Sequence, residues 1–436
     1  MSFEMILTIC MFGGLVVAIM AGVSLAFAMG AIGTISALIL FGPAGLMPIA
    51  ACVFSYMWML LLAAVPFFIF IGVALSKSKI AEDMYEAFHL CFGALRGGLA
   101  VGTCGFAAAL SAMTGNCSAS TVTTGLVGIS PMRKKGYKEN IIFGSIGAAG
   151  TLGILIPPSI TLIIIGMMTG QSIGKLFAGG LAAGLFILLS FIVYILILAW
   201  LKPKTCPSSD ERTSTIDKVR SLKSIILPCL IILAILGTIF FGLATPTEAA
   251  SVGAIAVVLA VMLRGEFNWT FVKEVSYTTA AISGMVIWIM FGAGAFVAVY
   301  SGAGGVYFVQ ELLSALNVSP WKLFILMQIL VLILGMFLDP MGIILLCLPL
   351  FYPIIQQIDF NPIWFGVIFQ INICIGYITP PFGYNLFYLK SLSPETSMKI
   401  IYGSVVPFII IMILCEIIMM IFPEIITYLP DIMVAK

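Results

Sequence analysis

Charge is what this sequence has least of. Lys, Arg, Asp and Glu together make up 9% of its 436 residues. A soluble domain keeps roughly a quarter of its residues charged to face water, so an aqueous exterior is excluded, and a soluble enzyme with it. Histidine is nearly missing: His89 stands alone on a polar connecting stretch. That excludes a His-built metal cluster and leaves Ser-His-Asp or Cys-His catalysis without a credible base. Ten cysteines run from Cys10 to Cys415, but none forms a CxxC pair. Scattered singly through apolar runs, they read as small packing residues and not as a zinc site or disulfide framework. No GxxxxGK[ST] loop is present, which removes the support for ATP hydrolysis. No Lys or Arg precedes Lys77, so the positive start of a cleavable signal peptide is missing. The net charge is only +2, with the basic residues in short loops, and nucleic acid is not an expected partner.

What is there in quantity is apolar. Hydrophobic residues make up 62% of the chain and the mean hydropathy is +1.21. Each helical crossing of a bilayer takes ~20 apolar residues, which leaves room for about ten. The expected class is an all-α polytopic membrane protein with the lipid bilayer as its solvent.

A repeat runs through the chain. Gly153-Ile-Leu-Ile-Pro157-Pro158 recurs as Gly376-Tyr-Ile-Thr-Pro380-Pro381, an offset of 223 residues. Pro131 pairs with Pro353 at 222, and Ser76 with Ser301 at 225. Three elements at nearly one offset point to a duplication. Charge orients the halves. The polar-interrupted stretch from Gly97 to Ser130 is flanked by Arg96, Arg133, Lys134, Lys135 and Lys138 against Glu139. Basic flanks at both ends place both on the cytoplasmic side, so this stretch is a re-entrant hairpin. Its counterpart, broken at Gly335-Met-Phe-Leu-Asp339-Pro340, has only Lys322 and Asp359 beside it, which suits the opposite face. The loop from Lys202 to Lys223 carries six basic residues against Asp210, Glu211 and Asp217 and is expected inside. The chain then divides into a first inverted repeat, 1–200 (hairpin about 97–130, broken helix about 141–170), a cytoplasmic linker, 201–224, and a second inverted repeat, 225–436 (hairpin about 323–353, broken helix about 362–389). About ten transmembrane helices and two hairpins result, with both chain ends outside. Trp200, Trp269, Trp321 and Trp364 fall at segment ends, where interfacial anchors belong.

The breaks are the candidate site, because non-helical backbone at membrane depth is tolerated where it lines a cavity. Proline has no N–H, so the carbonyl four residues earlier loses its helical partner. Pro157 and Pro158 free the carbonyls of Gly153 and Ile154, and Pro380 and Pro381 those of Gly376 and Tyr377. Such carbonyls at a half-helix end suit a cation, and Na⁺ is the expected coupling ion, with the hydroxyls of Ser159 and Thr379 nearby. A plain kink satisfied by Ser, Thr or water is the competing reading, and the pairing of two breaks favours a site. The hairpin tip adds Ser111, Thr114, Gly115, Asn116, Ser118 and Ser120, although small residues there also permit close helix packing. Gly335 and Asp339 mark the second tip, and a carboxylate inside an apolar stretch is usually functional. Na⁺ is expected among Asn116, Gly153, Asp339, Gly376 and Thr379. Glu416 lacks a polar break around it and reads as an inter-subunit or interfacial contact. Glu248 reads as a cap, with Thr245 as N-cap and Pro246 at the first helical position.

The run Thr245-Pro-Thr-Glu-Ala-Ala-Ser-Val-Gly253 resembles the TPTEAA signature of the large membrane subunit of tripartite ATP-independent periplasmic (TRAP) transporters. Gly335-Met-Phe-Leu-Asp339, the two proline breaks and Gly22-Val-Ser-Leu-Ala-Phe-Ala-Met-Gly30 are similar to that family's pattern, while Asn116 and Cys117 stand where members more often carry Gly and Ser. The resemblance implies an importer in the bacterial inner membrane and no enzyme. A periplasmic substrate-binding protein would deliver an organic acid, and a small four-helix membrane subunit would stiffen the scaffold. This chain would carry the solute by an elevator-type movement driven by sodium. No Lys or Arg lies between 139 and 174 or between 323 and 389, so a carboxylate would be held by amides and half-helix N-termini, which favours a small one. A stand-alone sodium/anion symporter of similar architecture is the alternative. A membrane enzyme is disfavoured by the missing histidines.

The orientation is testable with single cysteines in a cysteine-free background. A membrane-impermeant thiol reagent on intact cells is expected to leave position 213 unlabelled, and labelling there from outside would overturn the topology.

Overall fold

The computed structural model describes residues 3–93, 95–207, 215–315 and 319–433. Residues 208–214 of the expected linker, position 213 included, lie outside them. The described residues form helices and contain no strand, as lipid demands of a chain that must satisfy its backbone internally. Among them, eight helical stretches are long and apolar enough to cross a membrane, from Phe3–Met20 to Met398–Ile421. Shorter apolar helices, including Gly98–Thr114, Ile160–Thr169, Pro320–Gly335 and Pro362–Ile378, belong to the hairpins and breaks.

Burial runs inside out from the ends of the chain to its breaks. Peripheral helices present large apolar side chains outward, as at Ile39 and Leu263, which are 76% and 85% exposed. Lipid-facing leucine and isoleucine are at home there. The centre is made by the two broken helices. In the first, every residue from Ile141 to Thr151 is buried, and in the second every residue from Ile363 to Ile378.

Along the stretches expected to form hairpins and breaks, the helices run as follows. The first hairpin joins Gly98–Thr114 to Cys117–Lys134 and the second joins Pro320–Gly335 to Pro340–Gln357. The first broken helix runs Glu139–Thr151, turns through Leu152–Ile154, and resumes as Ile160–Thr169. The second runs Pro362–Ile378 and resumes as Tyr384–Leu392. The Pro157–Pro158 and Pro380–Pro381 peptide bonds are both cis. The capping box at Thr245 and Glu248 has formed, with Pro246 at the first helical position. Two expectations fail. Trp364 is 4% exposed and donates its indole N–H to the Met419 carbonyl at 3.0 Å, so it is an internal strut. Glu416 is 6% exposed within this chain, so it is not an interfacial residue. Sequence position alone showed an apolar helix end and an isolated acid, and which face each turned inward was decided by packing.

Small residues set the closest helix approach. Leu25–Phe41 packs on Trp269–Gly302 with Gly33 against the backbone of Ala295–Phe296 and Gly292 against that of Ala26. A Cβ on Gly292 would fall 2.2 Å from the Ala26 carbonyl oxygen. At one end of the central bundle, Arg133 ties three segments together. It donates to Glu139 from Nε at 2.8 Å and Nη2 at 2.9 Å, to Ser393 at 2.6 Å and Thr396 at 2.8 Å, and it pairs with Glu395. The Ser393 hydroxyl, the local backbone N–H and Arg133 hold the Glu395 carboxyl down at about 2. Its contribution is therefore present at neutral pH and lost only as pH falls below the ordinary carboxylate range towards that value. With the side chain 64% exposed, solvent screens most of it.

One helix offers an internal control. Gly284→Ala meets open space and should raise the thermal midpoint, since alanine outdoes glycine in a helix by about 1 kcal/mol. Gly292→Ala should lower it, because overpacking of this kind costs about 1–3 kcal/mol. Thermal unfolding in one detergent checks both signs, and equal shifts would remove Gly292 from the tight crossing.

Candidate functional site

The first hairpin tip is built to stop a helix and start another within two residues. Gly115 takes a left-handed conformation at φ 59°. Asn116 follows in extended geometry, and its side-chain oxygen accepts from the N–H groups of Ser118 at 2.8 Å and Ala119 at 3.4 Å. This caps Cys117–Lys134. The tip presses on the first break with glycine at both points of contact. A Cβ on Gly115 would lie 2.5 Å from the Pro158 carbonyl oxygen, and one on Gly153 would lie 2.8 Å from that of Asn116. Cys117 Sγ–H completes the seam with a contact to the Thr151 carbonyl at 3.1 Å.

The second tip ends in Asp339, which stands 223 residues after Asn116, the spacing of the two proline pairs. It has the same job. Its carboxylate accepts from the Met341 N–H at 3.1 Å and caps Pro340–Gln357. Here the hairpin meets its broken helix at Gly335 and Gly376, where a Cβ on Gly376 would fall 2.7 Å from the Gly335 Cα.

The carbonyls at the breaks are less free than proline counting suggests. Ile154 O accepts from the hydroxyls of Ser159 and Thr161, the latter at 3.1 Å. Gly376 O accepts from the Thr379 N–H at 3.0 Å, and the Thr379 hydroxyl turns to Ile375 O at 2.6 Å. Gly376 O retains a second lone pair, whereas Ile154 O accepts two hydrogen bonds and has none to spare.

Both tips open onto one cavity of about 540 Å³. Of the residues singled out from sequence, Gly115, Asn116, Ser118, Ile154, Asp339 and Tyr377 line it. The others sit behind it. Ser111 bonds Ala107 O and Ser120 inside the hairpin, Thr114 packs on Gly72, and Gly153, Gly335, Gly376 and Thr379 form the seams just described. Of the five expected sodium residues, the cavity thus brings together Asn116 and Asp339. It also contains groups not foreseen: Ser24, Thr161, Tyr384 and Tyr388, with an apolar far wall from Ile19 to Ala26 and from Ile282 to Ile289. The rings of Tyr377 and Tyr384 stack 5.9 Å apart at 14°, and Tyr377 OH lies 3.3 Å from Ser118 Oγ. The i, i+4 spacing of Tyr384 and Tyr388 after the break was the available signal. Among the described residues, Asp339 is the only charged side chain in the lining. Such a chamber can hold a cation at its acid and a solute against its aromatic rings.

Comparison with known proteins agrees with this architecture. The family model described as "Tripartite ATP-independent periplasmic transporter, DctM component" matches residues 12–425. The C4-dicarboxylate TRAP transporter large permease protein of Pseudomonas aeruginosa is 31% identical, over 82% of this chain and 83% of its own. The ectoine/5-hydroxyectoine large permease of Ruegeria pomeroyi is 30% identical, over 86% and 87%. The sialic acid permease of Haemophilus influenzae is also 30% identical, over 86% of this chain and 60% of its own. Among solved structures, the YdaH transporter of Alcanivorax borkumensis shares the fold, with a TM-score of 0.65 at 13% identity over 92% of this chain and 98% of that one. With the fold, the paired hairpins and a family match from residue 12 to residue 425, the chain belongs to the large-permease (DctM) family of tripartite ATP-independent periplasmic transporters.

Proposed function

We propose that the chain imports a carboxylate-bearing organic solute across the bacterial inner membrane, driven by sodium. A periplasmic binding protein delivers the solute, and a small four-helix membrane subunit completes the complex. The observation that carries this reading is the convergence of both hairpin tips, the first break and Asp339 on one cavity. Relatives named for C4-dicarboxylates, ectoine and sialic acid support an organic solute.

In this reading Na⁺ sits at Asp339, with oxygen atoms of the breaks completing its shell. The hairpins and broken helices, roughly 96–170 and 320–390, form the moving transport unit, and the remaining helices form the scaffold. The inverted-repeat arrangement is supported by two contacts. Cys374 Sγ–H reaches Thr151 O at 3.4 Å across 223 residues, and Cys415 meets Ser190 at 3.3 Å across 225. Residues one repeat apart touch when they lie on the axis relating the halves.

Uptake into reconstituted vesicles should require an inward sodium gradient, the small subunit and loaded binding protein, and no ATP. Full-rate accumulation with potassium on both sides would refute the sodium coupling. Full-rate uptake without a binding protein would favour the stand-alone symporter.

Asp339→Asn separates ion binding from capping. Asparagine is as good an N-cap, so the variant should purify as a folded monodisperse protein. Its apparent sodium affinity should fall at least ~10-fold, the equivalent of ~1.4 kcal/mol. Unchanged affinity would remove Asp339 from the ion site.

A further inference from the structure

The lining of the cavity says more about the cargo than the relatives do. At 31%, 30% and 30% identity, relatives named for a C4-dicarboxylate, ectoine and sialic acid stand equally near, so they do not choose between solute classes. The wall does. Among the described residues, no lysine, arginine or histidine lines it, and its one charged group is the carboxylate of Asp339.

We propose that the cavity takes solutes with a single carboxylate and a flat or apolar body, and discriminates against dicarboxylates. This rests on the transport reading above.

Uncharged donors for one carboxylate gather at the first tip. The side-chain oxygen of Asn116 is held by Ser118 and Ala119 N–H groups, so its NH₂ is the half left to donate. The hydroxyls of Ser118 and Tyr377, 3.3 Å apart, lie beside it. A second carboxylate finds outside that group only the neutral hydroxyls of Ser24, Thr161, Tyr384 and Tyr388, beside the carboxylate of Asp339 and the aliphatic wall of Ile282, Met285, Val286 and Ile289. Among the described residues, no cation of the lining balances its charge. An anion moved from water to such surroundings without a partner is strongly disfavoured, and Na⁺ at Asp339 offsets only the charge already there. Tyr377 and Tyr384 stack on each other, and Tyr384, 37% exposed, keeps an outer face that suits a flat body, because rings stack offset at such spacings. Size does not discriminate, since about 540 Å³ admits either class.

Thermal unfolding of the purified complex of this chain with its small subunit tests the idea, using phenylacetate and succinate as probes in sodium and in potassium buffer. Phenylacetate should raise the midpoint in sodium and half-saturate at least ~10-fold below succinate, a factor set by one unpaired charge. Tyr384→Phe should keep the phenylacetate shift. Tyr384→Leu should weaken it several-fold while leaving the ligand-free midpoint within a degree or so. Succinate binding as tightly as phenylacetate, or no shift from either, would overturn the proposal. Should Tyr384→Leu not fold, the wild-type ranking of the two anions decides alone. A phenylacetate shift that is the same in potassium would count for the single-carboxylate class and against sodium coupling, so the two readings fail separately.

Discussion

A helix that stops partway through a bilayer leaves backbone groups that lipid cannot hydrogen-bond, and the centre of this protein is organised around four such stops. Each has a local answer. Asn116 and Asp339 cap the helices that start at the tips. Ser159 and Thr161 cover the carbonyl of Ile154, and Thr379 covers those of Ile375 and Gly376. With each end satisfied within its own segment, the hairpins can press onto the breaks, and Gly115, Gly153, Gly335 and Gly376 occupy the seams where they do. Burial of both broken helices at the centre follows, and the lipid-facing helices enclose them.

The two tips occupy equivalent places in the chain and differ in charge. Asn116 and Asp339 do the same capping work, yet only the second can neutralise a cation. Their packing differs too. The first tip touches its break at Pro158 and Gly153, while the second hairpin touches its own at Gly335–Gly376, a few residues short of the tip. A neutral tip with hydroxyl and amide donors and an acidic tip face the same chamber, and the proposed transport reading assigns the first to an anion and the second to a cation.

Much of this could be read in the sequence. Hairpins and breaks were marked by Pro157–Pro158, Pro380–Pro381 and polar runs inside apolar stretches, because those residues cannot continue a helix. Asp339 was visible as an acid out of place. What stayed hidden was rotational: which face each helix turns inward. Trp364 and Glu416 were misjudged for that reason. Tyr384, Tyr388 and the wall at Ile282–Ile289 were missed because an aromatic or aliphatic residue looks the same whether it faces lipid, core or cavity. The resting places of the break carbonyls were also beyond reach, since Ile154 is covered partly by Thr161, seven residues on.

The kinds of contact on the two sides of the cavity differ in a way that bears on movement. Inside the set of hairpins and broken helices, polar contacts fix the register: Cys117 and Cys374 on Thr151, Asn385 on Gly147, Ser118 with Tyr377, and the Arg133 cluster. Towards the opposite wall the meeting surfaces are aliphatic, with Leu25 tucked against Gly342 and Ile282, Met285, Val286 and Ile289 across from Leu338 and Met341. The wall is itself firm, since Leu25–Phe41 and Trp269–Gly302 are locked by Gly33 and Gly292. Hydrogen bonds are directional and weaken steeply once the donor turns well off line, whereas apolar contact depends mainly on area. Sliding along an aliphatic boundary therefore trades one set of contacts for similar ones, while shearing the central set would strand buried polar groups. A boundary of this kind supports the proposed reading, in which the hairpins and breaks move as one body past a fixed wall.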